Sequence, residues 1–166
     1  MKTRSLLPLF LLLAVTVFGQ TAEEKPARQI LGLRLSMNEE QAHARLKEIG
    51  SFVRKEEKEQ EVWKIKDASF SHILIGFAAD RKLRYVTAVA RKDKEAKPVT
   101  YESIGDLTKA KQAGDPKIKV YNYQRNLPAV KDEPETLLIV MGRDPEHLST
   151  WSLKRLGAGA KAEEND

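Results

Sequence analysis

"LRLSMNEEQAHARL", residues 33–46, decides how the chain is read. Asn38 carries an N-cap side chain, whose oxygen can accept an orphan backbone N–H of a first helical turn. Gln41, three residues on, can reach back to the Asn38 N–H and close a capping box. Met37 and Ala42 stand where a hydrophobic staple forms. Glu39 and Glu40 put negative charge at the positive end of the helix dipole. Ala42, Leu46 and Ile49 recur at i, i+4 and i+7, which predicts a helix over 39–49 with one buried stripe and Gly50 as its stop. Upstream, Ile30, Leu31, Leu33 and Leu35 form an apolar approach segment.

Downstream of this helix "RKEEKEQ", residues 54–60, is a charged connector, after which the period falls to two. "VWKIK", "FSHILIGF" and "LRYVTAVAR" read as three strands in a meander, the last two joined by the turn "ADRK". "KDKEAKP", residues 92–98, breaks the pattern. "TYESIGDLTKAKQAG" predicts a second, weaker helix, with Thr100 as cap, Ile104 and Leu107 as apolar face, and Gly114 as end. "KIKVYNYQR", "ETLLIVMG" and "HLSTWSLKRL" are strands four to six. The expected fold is α+β: an antiparallel, meander-like sheet of about six strands with one or two short helices packed on one face. Residues 30–156 form one domain. The order helix, three strands, helix, three strands allows two diverged halves, although no residue-level identity between them is visible.

The ends of the chain read differently. Lys2 and Arg4, the apolar run from Leu6 to Phe18, and the small residues Val17 and Gly19 have the layout of a secretory signal peptide over 1–19. Cleavage is expected after Gly19, with Ala22 as a second point; an uncleaved anchor is the rival reading. Residues 20–29 read as a flexible leader and 157–166 as a disordered tail. No cysteine follows the apolar run, so a lipoprotein anchor is not expected. The chain has no cysteine at all, which removes disulfides, thiolate zinc sites and cysteine nucleophiles. The expected location is periplasmic or secreted, with no stable membrane insertion after cleavage. The net charge is +5, and +3 once Lys2 and Arg4 leave, with both signs interspersed. That suits a solvated surface better than a polyanion binder, and no nucleic-acid partner is expected.

Catalytic and metal signatures do not accumulate. His43, His72 and His147 have no partner at metal-binding spacing, the serines lack a nucleophile elbow, and no phosphate-binding glycine motif occurs. The acidic pairs Glu39–Glu40 and Asp132–Glu133 suit a cap and a loop. No enzyme activity, cofactor or metal is therefore expected. The side chains that stand out are Tyr121, Tyr123 and Arg125 on one side of the fourth strand, and Trp151 and Arg155 on one side of the sixth. Tyr, Trp and Arg dominate binding hot spots, so on an open sheet face these five would form a partner-binding patch; the alternative is that Trp151 and one tyrosine belong to the core.

"GLRLSMNEEQAHARL", followed by a tryptophan-containing strand and "ILIGFAADRKLRYVTAV", resembles the SmpA/OmlA-like and β-lactamase-inhibitor-like envelope domains over roughly residues 32–90. Met37, the acidic pair Glu39–Glu40, and Leu83 and Val86 after the turn match the pattern. Asn38 stands where Ser or Thr is usual, and Ser36 replaces the usual glycine. The resemblance implies a small α+β envelope domain that works by binding proteins, some members assisting outer-membrane assembly and others inhibiting an enzyme. It brings no catalytic residues. The function expected is a non-enzymatic exported module whose partner is an envelope or exported protein. The alternative is a carrier of a small apolar ligand or lipid, held against Ile73, Ile75, Phe77, Leu138 and Val140.

Overall fold

The computed structural model describes residues 27–56, 59–105, 107, 111–113, 120–142 and 144–157. The expected signal peptide 1–19, residues 20–26 of the expected leader and the tail from 158 onward lie outside the described residues. Helix α1, Glu39–Ile49, forms as its sequence dictates. The Asn38 side chain accepts from Gln41 N at 2.9 Å, the Gln41 side chain accepts from Asn38 N at 3.1 Å, and Ala42 and Leu46 are buried.

Among the described residues eight strands follow, where about six were expected. They are β1 Gly50–Lys55, β2 Glu61–Ile65, β3 Phe70–Phe77, β4 Leu83–Ala90, β5 Lys111–Ala113, β6 Tyr121–Leu127, β7 Thr136–Gly142 and β8 Leu148–Arg155. All pair antiparallel in one sheet of order β1-β2-β3-β4-β8-β7-β6-β5. Two four-stranded meanders thus meet along their last strands. Gly50 does not stop the helix in a left-handed turn: it is extended, with φ −170°, and leads straight into β1. The first residues of the expected connector, Arg54 and Lys55, belong to that strand.

The second expected helix is replaced. Tyr101–Ile104 is a single 3₁₀ turn, the Thr100 side chain makes no cap bond, and Gly105 has φ 121°. Residues 111–113, read as the end of that helix, form the edge strand β5. The low helix propensity of Gly105 accounts for the early stop. Residues 106, 108–110 and 114 of the expected helix lie outside the described residues.

Both meanders share one hydrogen-bond frame. Leu83 N donates to Met37 O and Leu148 N to Val99 O, each at 3.0 Å. Asn38 bridges Lys82, and Thr100 bridges His147. Asp80 accepts from Lys82 N and Asp144 from Glu146 N, two matching turns. A register shift falls between Gly76 and Phe77 opposite β4, and between Met141 and Gly142 opposite β8, 65 positions apart in each case. At the join, Tyr85 pairs with Lys154, Thr87 with Ser152 and Val89 with Thr150. The equivalent residues Thr87 and Ser152 therefore face each other on a local twofold axis, with their hydroxyls 2.9 Å apart.

Side-chain alternation assigns the two faces. Trp63, Ile73, Ala88, Trp151, Val140 and Tyr123 form one row across the sheet, and Ile75, Val86, Leu153 and Leu138 form another. Both belong to the core, closed by Leu46, Ala42 and the segment Ile30–Leu35.

Candidate functional site

All five side chains expected on an open patch lie on the core-bearing side. Trp151 is 9% exposed, pairs with Ala88 and Val140, and sits 6.3 Å from the Phe70 ring. Tyr121 and Tyr123 are half-buried against the core, and Tyr123 stacks at 4.9 Å on Tyr101. Arg125 pairs in register with Leu138, a core position. Arg155 bonds Asp80 at 2.6 Å, at the margin of a cleft of about 270 Å³ whose lining includes Leu35, Ser36, Lys82 and Glu133. The premise of an open face under these residues is thus corrected. The period of two explains it: Trp151 is followed two residues later by the fully buried Leu153, so both point to the core side of β8.

The other parity defines the face opposite the core. Its central row runs Val62, Leu74, Thr87, Ser152, Ile139, Gln124 from β2 to β6. A second row runs Lys64, His72, Val89, Thr150, Met141, Asn122, and a third runs Gly76, Tyr85, Lys154, Leu137, Asn126. Leu74, Val89, Leu137 and Ile139 are half-buried and Met141 is 38% exposed, yet none of them packs against the core. Thr150 Oγ1 and Asn122 Oδ1, on either side of Met141, are buried without a hydrogen-bond partner. Sequence reasoning named no residue of this face as a site. The signal was the run of hydroxyl and amide residues at one parity of β6 and β8, with aliphatic residues at the matching parity of β7.

Among the strand positions of this face charge has one sign, and the carboxylate of Glu56 stands at its β1 corner. Lys64 and Lys154 have no salt-bridge partner among the described residues. Arg54, beside Val62, is held by Glu56 at 2.5 Å. The Arg84 guanidinium lies 5.4 Å over the Tyr85 ring, and burial raises the pKa of that phenol. The Tyr85 hydroxyl donates to Gln60 Oε1 at 2.9 Å.

The histidines are engaged locally. His43 Nε2 contacts both Glu61 carboxylate oxygens at 3.1 and 2.9 Å, and Trp63 Nε1 donates to the same carboxylate at 3.0 Å. His147 contacts Asp144 at 3.2 Å; the carboxyl of Asp144 is held below its ordinary range by the backbone N–H groups of His147 and Glu146. His72 Nδ1 lies 3.1 Å from Ser71 Oγ, but that hydroxyl donates to Val89 O and has no carboxylate behind the imidazole. Among the described residues no three His, Asp or Glu side chains are grouped to hold a metal ion, and no helix is long and apolar enough to cross a membrane.

Of the residues named for an apolar carrier, Ile73, Ile75, Leu138 and Val140 are at most 1% exposed and sit in the packed core beside Phe77. Comparison with protein-family models, curated proteins and solved structures finds no match to this chain.

Proposed function

We propose that the chain is an exported, non-enzymatic binding module that engages another protein through the face of its sheet opposite the core. The observation that carries this reading is the face itself: aliphatic side chains of three strands, β3, β4 and β7, lie half-exposed across the middle of a wide sheet without joining the core. Eight strands at ~4.8 Å spacing give a face roughly 40 Å wide, enough for the ~800 Å² per partner of a standard protein interface. Export rests on the layout of residues 1–19, and a protein-binding role is also what the resemblance over residues 32–90 implies.

The test is a substitution that roughens the centre of the face and spares the fold. Ser152→Arg and Ile139→Gln in the full chain should abolish crosslinked capture of a partner from the exported fraction and leave far-UV circular dichroism and the melting transition in place. Capture that survives both changes would remove this face from consideration. Release of a stoichiometric small apolar molecule in native mass spectrometry would move the reading to the carrier.

A further inference from the structure

Two lysines give the partner a sign. We infer that this face docks an acidic protein surface, whose carboxylates reach Lys64 and Lys154 on either side of an apolar centre. The inference rests on the proposed binding role and adds the partner's chemistry to it.

The eight strands hold eight Lys and Arg residues and a single carboxylate, Glu61. Glu61 sits at a core-face position, in register with Ile75, where His43 and Trp63 engage it. No strand position on the open face is therefore acidic. Glu56, at the corner after β1, is held by Arg54. Lys64 lies in the row of His72 and Met141, and Lys154 in the row of Tyr85 and Leu137. Between the two rows runs the band of Leu74, Thr87, Ser152 and Ile139. A partner covering this band would desolvate both ammonium groups. A buried charge without a counter-charge is strongly destabilising, so a tight partner must supply carboxylates at those two points.

Other polyanions fit less well. An anionic bilayer gains little from two surface lysines, and insertion needs protruding apolar anchors, whereas Leu74, Val89 and Ile139 are half-buried in the plane of the sheet face. Single-stranded nucleic acid needs open aromatic platforms. The one tyrosine of this face, Tyr85, is half-buried and lies against Arg84.

The experiment places the photocrosslinker p-benzoylphenylalanine at Thr87, the centre of the face, or at the exposed Glu48 of α1 as control, in the full chain within the cells that make it. The expected result is a protein adduct from Thr87 and not from Glu48, mapped by mass spectrometry to an Asp- and Glu-rich peptide. Lys64→Glu with Lys154→Glu should lower its yield about tenfold, while Lys64→Arg with Lys154→Arg keeps it, and raised ionic strength should weaken it. Both pairs sit at exposed positions, and an unchanged melting transition would confirm folding. An adduct indifferent to the glutamate pair overturns the acidic partner and leaves the binding role standing. Lipid or nucleic-acid adducts alone, or no adduct from Thr87, overturn both.

Discussion

The two meanders share a frame and differ in what closes it. In the first, the segment Ile30–Leu35 and the capped helix α1 seal the core, with Leu46 fully buried and Arg45 Nε bonded to Leu31 O at 2.9 Å. In the second, the segment bridging the same way to the last strand gives a single 3₁₀ turn, and Leu107 is only half-buried. The hydrogen-bond frame is common to both halves because it is mostly backbone: strand pairing and two bridges tolerate almost any side chain, and each turn depends on a single aspartate, Asp80 or Asp144. Among the described residues the helical cover is not repeated, because a helix needs its cap and its stripe. The difference teaches where stability is concentrated: in the frame for both halves, and in the side-chain cover for the first.

The sharpest way to break the comparison is to empty the cover of each half. Leu46→Ala should cost about 3 kcal/mol, since a fully buried leucine leaves a cavity that helix and sheet only partly close. Leu107→Ala, at a half-buried position, should cost under about 1 kcal/mol. Urea unfolding followed by tryptophan fluorescence measures both, and equal costs would show the second half to be sealed as firmly as the first.

Next is a difference in how the halves fill equivalent space. Phe77 lies 65 positions before Gly142, and its ring packs edge-on to His43 at 5.6 Å. At Gly142 a Cβ would fall inside van der Waals contact of Tyr101 Oη and His147 O. Tyr101 thus takes up room at the position where the first half has a phenylalanine side chain. Gly142→Ala should cost about 2 kcal/mol, and adding Tyr101→Ala should recover none of the part due to His147 O, which is backbone. A freely tolerated Gly142→Ala in thermal melts would show that the β7–β8 end gives way more easily than its packing implies.

The caps give a smaller contrast. Asn38→Ala removes the side-chain acceptor of Gln41 N, one half of the capping box, and should cost about 1 kcal/mol. Thr100→Ala removes no side-chain cap bond and should stay within about 0.5 kcal/mol. A loss at Thr100 matching that at Asn38 would mean that its hydroxyl acts in a way the 3₁₀ geometry does not display.

How much of this was legible follows from how local each cause is. The helix 39–49 could be read to the residue because its cap, dipole charges and buried stripe lie within eleven residues. The interior strands β3, β4, β7 and β8 were legible from apolar alternation. β1 was not: its burial is low from end to end, so nothing but pairing with β2 makes "RK" extended. β5 was not, because three residues with a helical composition are held as a strand by β6. The face of Tyr123 and Trp151 was not, because each strand shows its own alternation but not which of its two sides meets the core of its neighbours. The candidate site was missed for the same reason: Thr87, Ser152 and Ile139 acquire meaning only once register sets them in one row.

The alkaline limb tests Tyr101 directly. Burial pushes its phenol up to about 12, reinforced by the nearby Asp144 charge, and its hydroxyl donates to Asp144 O at 3.0 Å. In the unfolded chain a tyrosine titrates near ~10. The folded state therefore holds the proton more tightly than the unfolded one. This contribution to stability is complete below pH ~10 and is lost as pH rises toward about 12, where the folded phenol itself ionises. Tyr101→Phe should lose about 1 kcal/mol at neutral pH with the hydrogen bond. It should also lack this part of the alkaline decline, and the absorbance change of its last-titrating phenol should disappear. The first meander has no tyrosine in the corresponding place, since Glu39 follows its cap where Tyr101 follows Thr100. Alkaline softening should accordingly begin in the second half, seen as faster amide exchange in β7 and β8 than in β2 and β3. Uniform loss of protection across all eight strands would instead mean that the two meanders unfold as one unit, and that their difference in cover never reaches the sheet.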